Sequence, residues 1–126
     1  MKAVQTCAAP AAIGPYSQGY ISGNLIFTAA QIPVSIGTGE VIGKNITEQT
    51  RQVIENLSAV LKAAGSSISN VIKANCFLLD MNDFTAFNDE YVKHFTHRPA
   101  RSTVAVKQLP KDVMIEIDVI AELNNV

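Results

Sequence analysis

The chain has no tryptophan, only two cysteines, and charged residues at just 17% of 126 positions. Each scarcity excludes something. Cys7 and Cys76 are too few and too far apart for a disulfide framework and lack the spacing of a metal site, so the thiols fit a reducing compartment. Charged residues usually make up about a quarter of a soluble chain. A lower share leaves apolar surface available, a hint of self-association. Lysine and arginine never form a run and the net charge is −1. The electrostatic footprint of a nucleic-acid binder is therefore missing, as is the basic face of a membrane-surface helix. The pairs Lys93-His94 and His97-Arg98 read as the polar side of a helix end. No stretch approaches the roughly 20 apolar residues of a membrane span. The segment Met1 to Cys7, broken by Gln5 and Thr6, lacks the apolar length of a signal peptide and is not an arginine-rich transit segment. The expectation is a cytoplasmic protein.

What is present is an apolar fraction of 48% in a length that suits one domain, residues 1–126. Lys2 to Cys7 fits a short strand. Gln18 to Ser22 and Leu25 to Ala30 flank Gly23-Asn24, a hairpin turn signal. Gln31 to Gly43 reads as a loop. From Asn45 to Ala64, apolar residues recur at spacings of three and four, with Asn45 and Glu48 as a capping box and Gly65 at the C-terminal cap. Val71 to Leu79 is a strand. Asn82 to His97 is a second helix with Phe84, Phe87, Tyr91 and Phe95 along one stripe, read as core. Ala100 to Val106 and Val113 to Leu123 are strands joined by Gln108 to Asp112, with the register of this last hairpin left open. Two such helices can cover one face of a mixed sheet, giving a two-layer α+β domain. The other face, with Met114, Glu116, Asp118 and Ile120, then suits a subunit interface near a polar pocket.

Two charges within apolar strands draw notice. Arg101 stands in Ala100-Arg101-Ser102-Thr103-Val104, and its guanidinium cannot lose its charge, so it needs an anion or water. Glu116 stands in Ile115-Glu116-Ile117, where a half-buried carboxylate could move a proton. A guanidinium holds a small carboxylate through two parallel bonds. Together the pair suggests a site for a small carboxylic acid. Each residue also has a plainer reading: an arginine in a strand is more often an edge ion-pair residue, and Glu116 alone a solvated one. His94 and His97 lie three apart on the second helix, but no third ligand accompanies them, so they read as surface residues. Cys76 reads as a small core residue.

Four segments carry a resemblance: Ala12-Ile13-Gly14-Pro15-Tyr16-Ser17-Gln18-Gly19; Gln31-Ile32-Pro33 with Thr38-Gly39-Glu40; Pro99-Ala100-Arg101-Ser102; and Leu109-Pro110-Lys111-Asp112-Val113 with Ile115-Glu116-Ile117. In order and spacing they resemble the RidA family of reactive intermediate deaminases, also called the YjgF family, across essentially the whole chain. The resemblance implies a chorismate-mutase-like fold, a homotrimer with clefts between neighbouring subunits, and hydrolysis of 2-imino acids to 2-keto acids and ammonia. Those imines are released by pyridoxal-phosphate-dependent dehydratases. Arg101 matches the family's carboxylate-binding arginine, Glu116 the glutamate assigned to the water, Tyr16 a cleft-lining tyrosine and Asn88 an asparagine near the pocket. Ala29, beside the small cleft residue Ala30, stands where well-studied members have serine, and Thr103 where they have cysteine. No metal or organic cofactor is implied. Two other classes compete with the deaminase: a non-catalytic trimeric binder of small keto or amino acids, and a ribonuclease or translation inhibitor, against which the neutral charge argues.

Overall fold

A computed structural model describes residues 1–124. Six strands, β1 (Lys2–Val4), β2 (Gly19–Ser22), β3 (Leu25–Thr28), β4 (Val71–Leu78), β5 (Ala100–Ala105) and β6 (Ile115–Glu122), form one mixed sheet in the order β1-β2-β3-β6-β4-β5. Only the β4–β5 pair is parallel. Two helices, α1 (Ile46–Ala63) and α2 (Phe84–Tyr91), pack on one face of this α+β fold. Among the described residues no helix is long and apolar enough to cross a membrane.

The start of α1 follows from its cap. The Asn45 side chain accepts from the Glu48 N–H at 2.9 Å, while the Glu48 carboxylate reaches back to the Lys44 N–H at 2.9 Å. Two orphan donors are thereby satisfied. Past its end, Gly65 adopts φ 82°, a left-handed position that suits glycine. The buried stripe Val53, Leu57, Val60 and Leu61 meets Ile26, Ile117, Val119 and Ala121 from the sheet. At Gly19 the layers come so close that a Cβ would lie 2.9 Å from the Ile26 side chain and 3.4 Å from Val60.

Two expectations change. The second helix is shorter than its apolar stripe: α2 ends at Tyr91, and turns carry the chain through Phe95, which is nevertheless buried. More importantly, β5 and β6 are not a hairpin. The chain leaves β5 and returns to the far side of β4, so β4 separates them. The physical reason lies in burial. The alternating Ile115, Ile117, Val119 and Ala121 are all buried under the helices, a place only the sheet centre provides, whereas β5 is mostly exposed and holds the edge.

Candidate active site

The register decides which side chains can meet. Arg101 is level with Ala74, and Thr103 with Cys76, so both point to the helix side of the sheet. Glu116 is level with Phe77, between the helix-facing partners of Cys76 and Leu78, so it points to the open side. The two charges that together suggested a site therefore lie on opposite faces of the same protomer. A single chain does not unite them.

On the helix side, Arg101 rests against aromatic rings of α2. Its guanidinium carbon lies 4.7 Å from the Tyr91 centroid, 5.3 Å from Phe87 and 5.6 Å from Phe84. Tyr91 is itself stacked on Phe95 at 4.3 Å. Such faces attract a cation and fix its plane. Among the described residues Arg101 forms no ion pair. It opens onto a cavity of about 410 Å³ that it shares with Asn88, Tyr91, Val92, Phe95 and Arg98. Asn88 Oδ1, Tyr91 OH and Thr103 Oγ1 are buried without a hydrogen-bond partner among the described residues. Unpartnered polar atoms are costly to bury, and they collect here around a cation. The stripe read from sequence as core is thus core and rack at once. Tyr91, Phe84 and Phe87 were missed as site residues. The signal that could have found them is a lone strand arginine following an aromatic helix whose stripe includes a tyrosine.

Helix α2 is held in place by Glu90, which is 2% exposed. Arg51 of α1 donates to it twice, at 3.2 and 3.3 Å, His94 at 2.7 Å, and Lys93 at 3.4 Å. Burial alone would raise this carboxyl, but the hydrogen bonds from Arg51 and His94 and the charges of Arg51 and Lys93 outweigh it and hold it at about 2. His97 bonds the Val71 carbonyl at 2.8 Å. Both histidines thus have structural partners. Cys76 is buried against the same corner. Burial pushes its thiol up to about 12, against the pull of Arg101, so it stays protonated and unreactive at neutral pH.

The remaining candidates gather elsewhere. Tyr16 is half exposed, and its hydroxyl accepts from the Ile13 N–H at 3.2 Å. It lines a cavity of about 290 Å³ with Ala30, Gln31, Ile36 and Lys111. Gln18 anchors this loop: its buried amide accepts from the Thr6 N–H at 2.7 Å and donates to the Thr6 and Pro10 carbonyls. Ala29 donates its N–H to the Gln18 carbonyl and does not line that cavity. Gln31 bridges to Ile117 of β6, which sets Ala30 beside the strand that carries Glu116. The Glu116 carboxyl is raised above the ordinary glutamate value by burial first and by the neighbouring Asp118 second. Asp118 is held by Asn75 at 2.8 Å. Arg101, Asn88 and Thr103 thus lie on the helix side of the sheet, whereas Tyr16 and Ala30 share a separate cavity and Glu116 faces the open side.

Comparison with known proteins agrees with this fold. The sequence profile of the family described as Endoribonuclease L-PSP matches residues 6–123. A RutC family protein of Pyrococcus horikoshii is 52% identical over 114 residues, covering 90% of each chain. The 2-iminobutanoate/2-iminopropanoate deaminase of Escherichia coli is 47% identical over 124 residues, covering 95% of this chain and 96% of its own. The crystal structure of E. coli TdcF with bound serine superposes with a TM-score of 0.92 at 42% identity, covering 98% of this chain and all of that one. With its aromatic-backed arginine, its open sheet face and this likeness along almost its full length, the chain belongs to the RidA/YjgF family, also described under the names L-PSP and RutC.

Proposed function

We propose that this protein hydrolyses 2-imino acids to 2-keto acids and ammonia, in clefts completed by a neighbouring copy within a homotrimer. The observation that carries the reading is Arg101: a guanidinium backed by three rings, open to a cavity, with no ion-pair partner among the described residues. The family's E. coli deaminase and the serine held by TdcF point to ligands of the same chemical class.

The imine carbon beside a carboxylate is already electrophilic, so the site needs position more than power. Arg101 holds the substrate carboxylate through two parallel hydrogen bonds, a charge-assisted contact worth about 1.5–3 kcal/mol. Glu116 of the adjoining copy takes a proton from water as the water oxygen bonds to the imine carbon. The C=N electron pair moves to nitrogen, which takes that proton from Glu116. The resulting carbinolamine collapses: Glu116 takes the hydroxyl proton and passes it to the nitrogen, the carbonyl forms, the C–N bond breaks, and ammonia departs. A carboxyl raised by burial is a better base for this than an ordinary glutamate. Asn88 contributes an acceptor and Thr103 a hydroxyl on the Arg101 side. Tyr16 and Ala30 form the wall on the other side.

The test couples the protein to a threonine or serine dehydratase that makes the imine in place, and follows keto-acid release. The expected outcome is acceleration, abolished in Arg101→Ala and reduced about 10²–10⁴-fold in Glu116→Gln with ligand affinity retained. A Glu116→Gln protein with full turnover would remove the base assignment. No acceleration from a folded protein that still binds serine or a keto acid would favour a non-catalytic binder, the reading that the serine in TdcF also allows.

A further inference from the structure

Helix α2 and the turns after it are rich in cations, and their pairing is uneven. Lys93 and His94, with Arg51 from α1, all engage the single carboxylate of Glu90. Arg98 and Arg101 have no ion-pair partner among the described residues, and both line the same cavity of about 410 Å³. No aspartate or glutamate lines it. Asp89, next along α2, neither lines it nor pairs with an arginine. The cavity therefore carries two positive charges that nothing among the described residues of the protomer neutralises.

The position of Arg98 is set by its backbone. His97 is tied to β4 through Val71, and Pro99 fixes the residue that follows. Between them Arg98 takes φ 53° and donates its N–H to the Phe95 carbonyl at 3.2 Å. A bulky residue is uncommon in this left-handed region. The turn presents the side chain at the cavity, exposed, with no hydrogen bond to its own chain among the described residues.

We propose that Arg98 is a second anion contact, and that the site prefers 2-imino and 2-keto acids bearing a second acidic group on the side chain. This rests on the reading of Arg101 as the carboxylate anchor. Arg101 takes the carboxylate next to the reacting carbon, and Arg98, at the cavity rim, takes the distal one. A single-acid substrate leaves the second guanidinium in water. The reaction class that supplies such an imine is the two-electron oxidation of the amino-bearing carbon of an acidic amino acid.

The experiment measures binding of 2-oxobutanoate and 2-oxoglutarate to the full-length protein by calorimetry. Because Arg98 is exposed, the expected preference for the diacid is modest, roughly 3–10-fold. Arg98→Asn removes the charge while tolerating the left-handed backbone, and brings the ratio of affinities to about one. Arg98→Lys keeps most of the preference, and about 1 M salt reduces it in the unmodified protein. Equal binding of the two acids by the unmodified protein, or a preference that survives Arg98→Asn, overturns the proposal and leaves the Arg101 anchor standing. Failure of both acids to bind overturns the anchor, and this inference with it.

Discussion

At the scale of single residues, the site is governed by how each charge is held. Arg101 owes its poise to Tyr91, whose ring lies closest to the guanidinium. The Tyr91 hydroxyl is buried without a partner, and burial raises its ionisation well above that of a free tyrosine, so it remains neutral. The ring and the hydroxyl therefore separate cleanly. Tyr91→Phe should fold at least as stably, since it removes an unsatisfied group, and should hold KM within about twofold. Tyr91→Leu should raise KM several-fold to about 30-fold, the range of a cation–π contact, with kcat changing less. Equal effects of the two changes in steady-state kinetics would assign the role to the hydroxyl instead. Glu116 gives a pH prediction. The base proposed at Glu116 must be deprotonated, so turnover should fall as pH drops through its raised value, with the acid limb above the ordinary glutamate range. Asp118→Asn removes one of the two causes of that shift and should move the limb to lower pH in a pH–rate profile.

At the scale of elements, what matters is how α2 is fixed to the rest. The α1–α2 contact is apolar at Phe87 and ionic at Glu90, where Arg51 reaches across from α1. A carboxylate lowered on folding contributes stability above its unfolded value near 4.5, and that contribution is lost as pH falls toward about 2. Denaturant melts of Glu90→Gln should therefore show a weaker pH dependence of stability between about pH 4.5 and pH 2 than the unmodified protein. An unchanged slope would mean that other carboxylates carry the acid sensitivity. These elements also separate what sequence could say from what it could not. Helix α1 was legible to within a residue because capping box, spacing and glycine all agree locally. The end of α2 was not: Phe95 continues the apolar stripe, yet the chain has already turned, and burial looks the same from either backbone. The β4 strand between β5 and β6 was invisible for a different reason. A short connection such as Gln108 to Asp112 predicts adjacency, and only the need to bury every other residue of β6 overrides it. The opposed faces of Arg101 and Glu116 were hidden with that strand order. The segments around them offered the two residues as candidates, not their relative placement.

At the scale of the whole molecule, the open face of the sheet and the split site make one argument. Tyr20 pairs with Phe27, and Phe27 with Ile120, in a row across the uncovered face, and Val104 stands exposed beside Phe77. An apolar sheet face next to a carboxylate held above its usual value is suited to burial against another copy. A cleft that takes Arg101 from one copy and Glu116 from the next has a consequence that a one-chain site lacks. Arg101→Ala and Glu116→Gln each remove a different half. Mixed, unfolded and reassembled together, the two inactive proteins should form clefts in which both halves are intact. In a cyclic assembly with random equal mixing, about a quarter of the clefts regain Arg101 from one subunit and Glu116 from its neighbour, so about a quarter of the original activity should return. If both residues served a cleft within one chain, no mixture of these two proteins could contain an intact site, and activity would stay at the level of the separate variants. Light scattering on the same mixture shows whether reassembly has occurred. Reassembled oligomer without recovered activity would therefore count directly against the shared cleft.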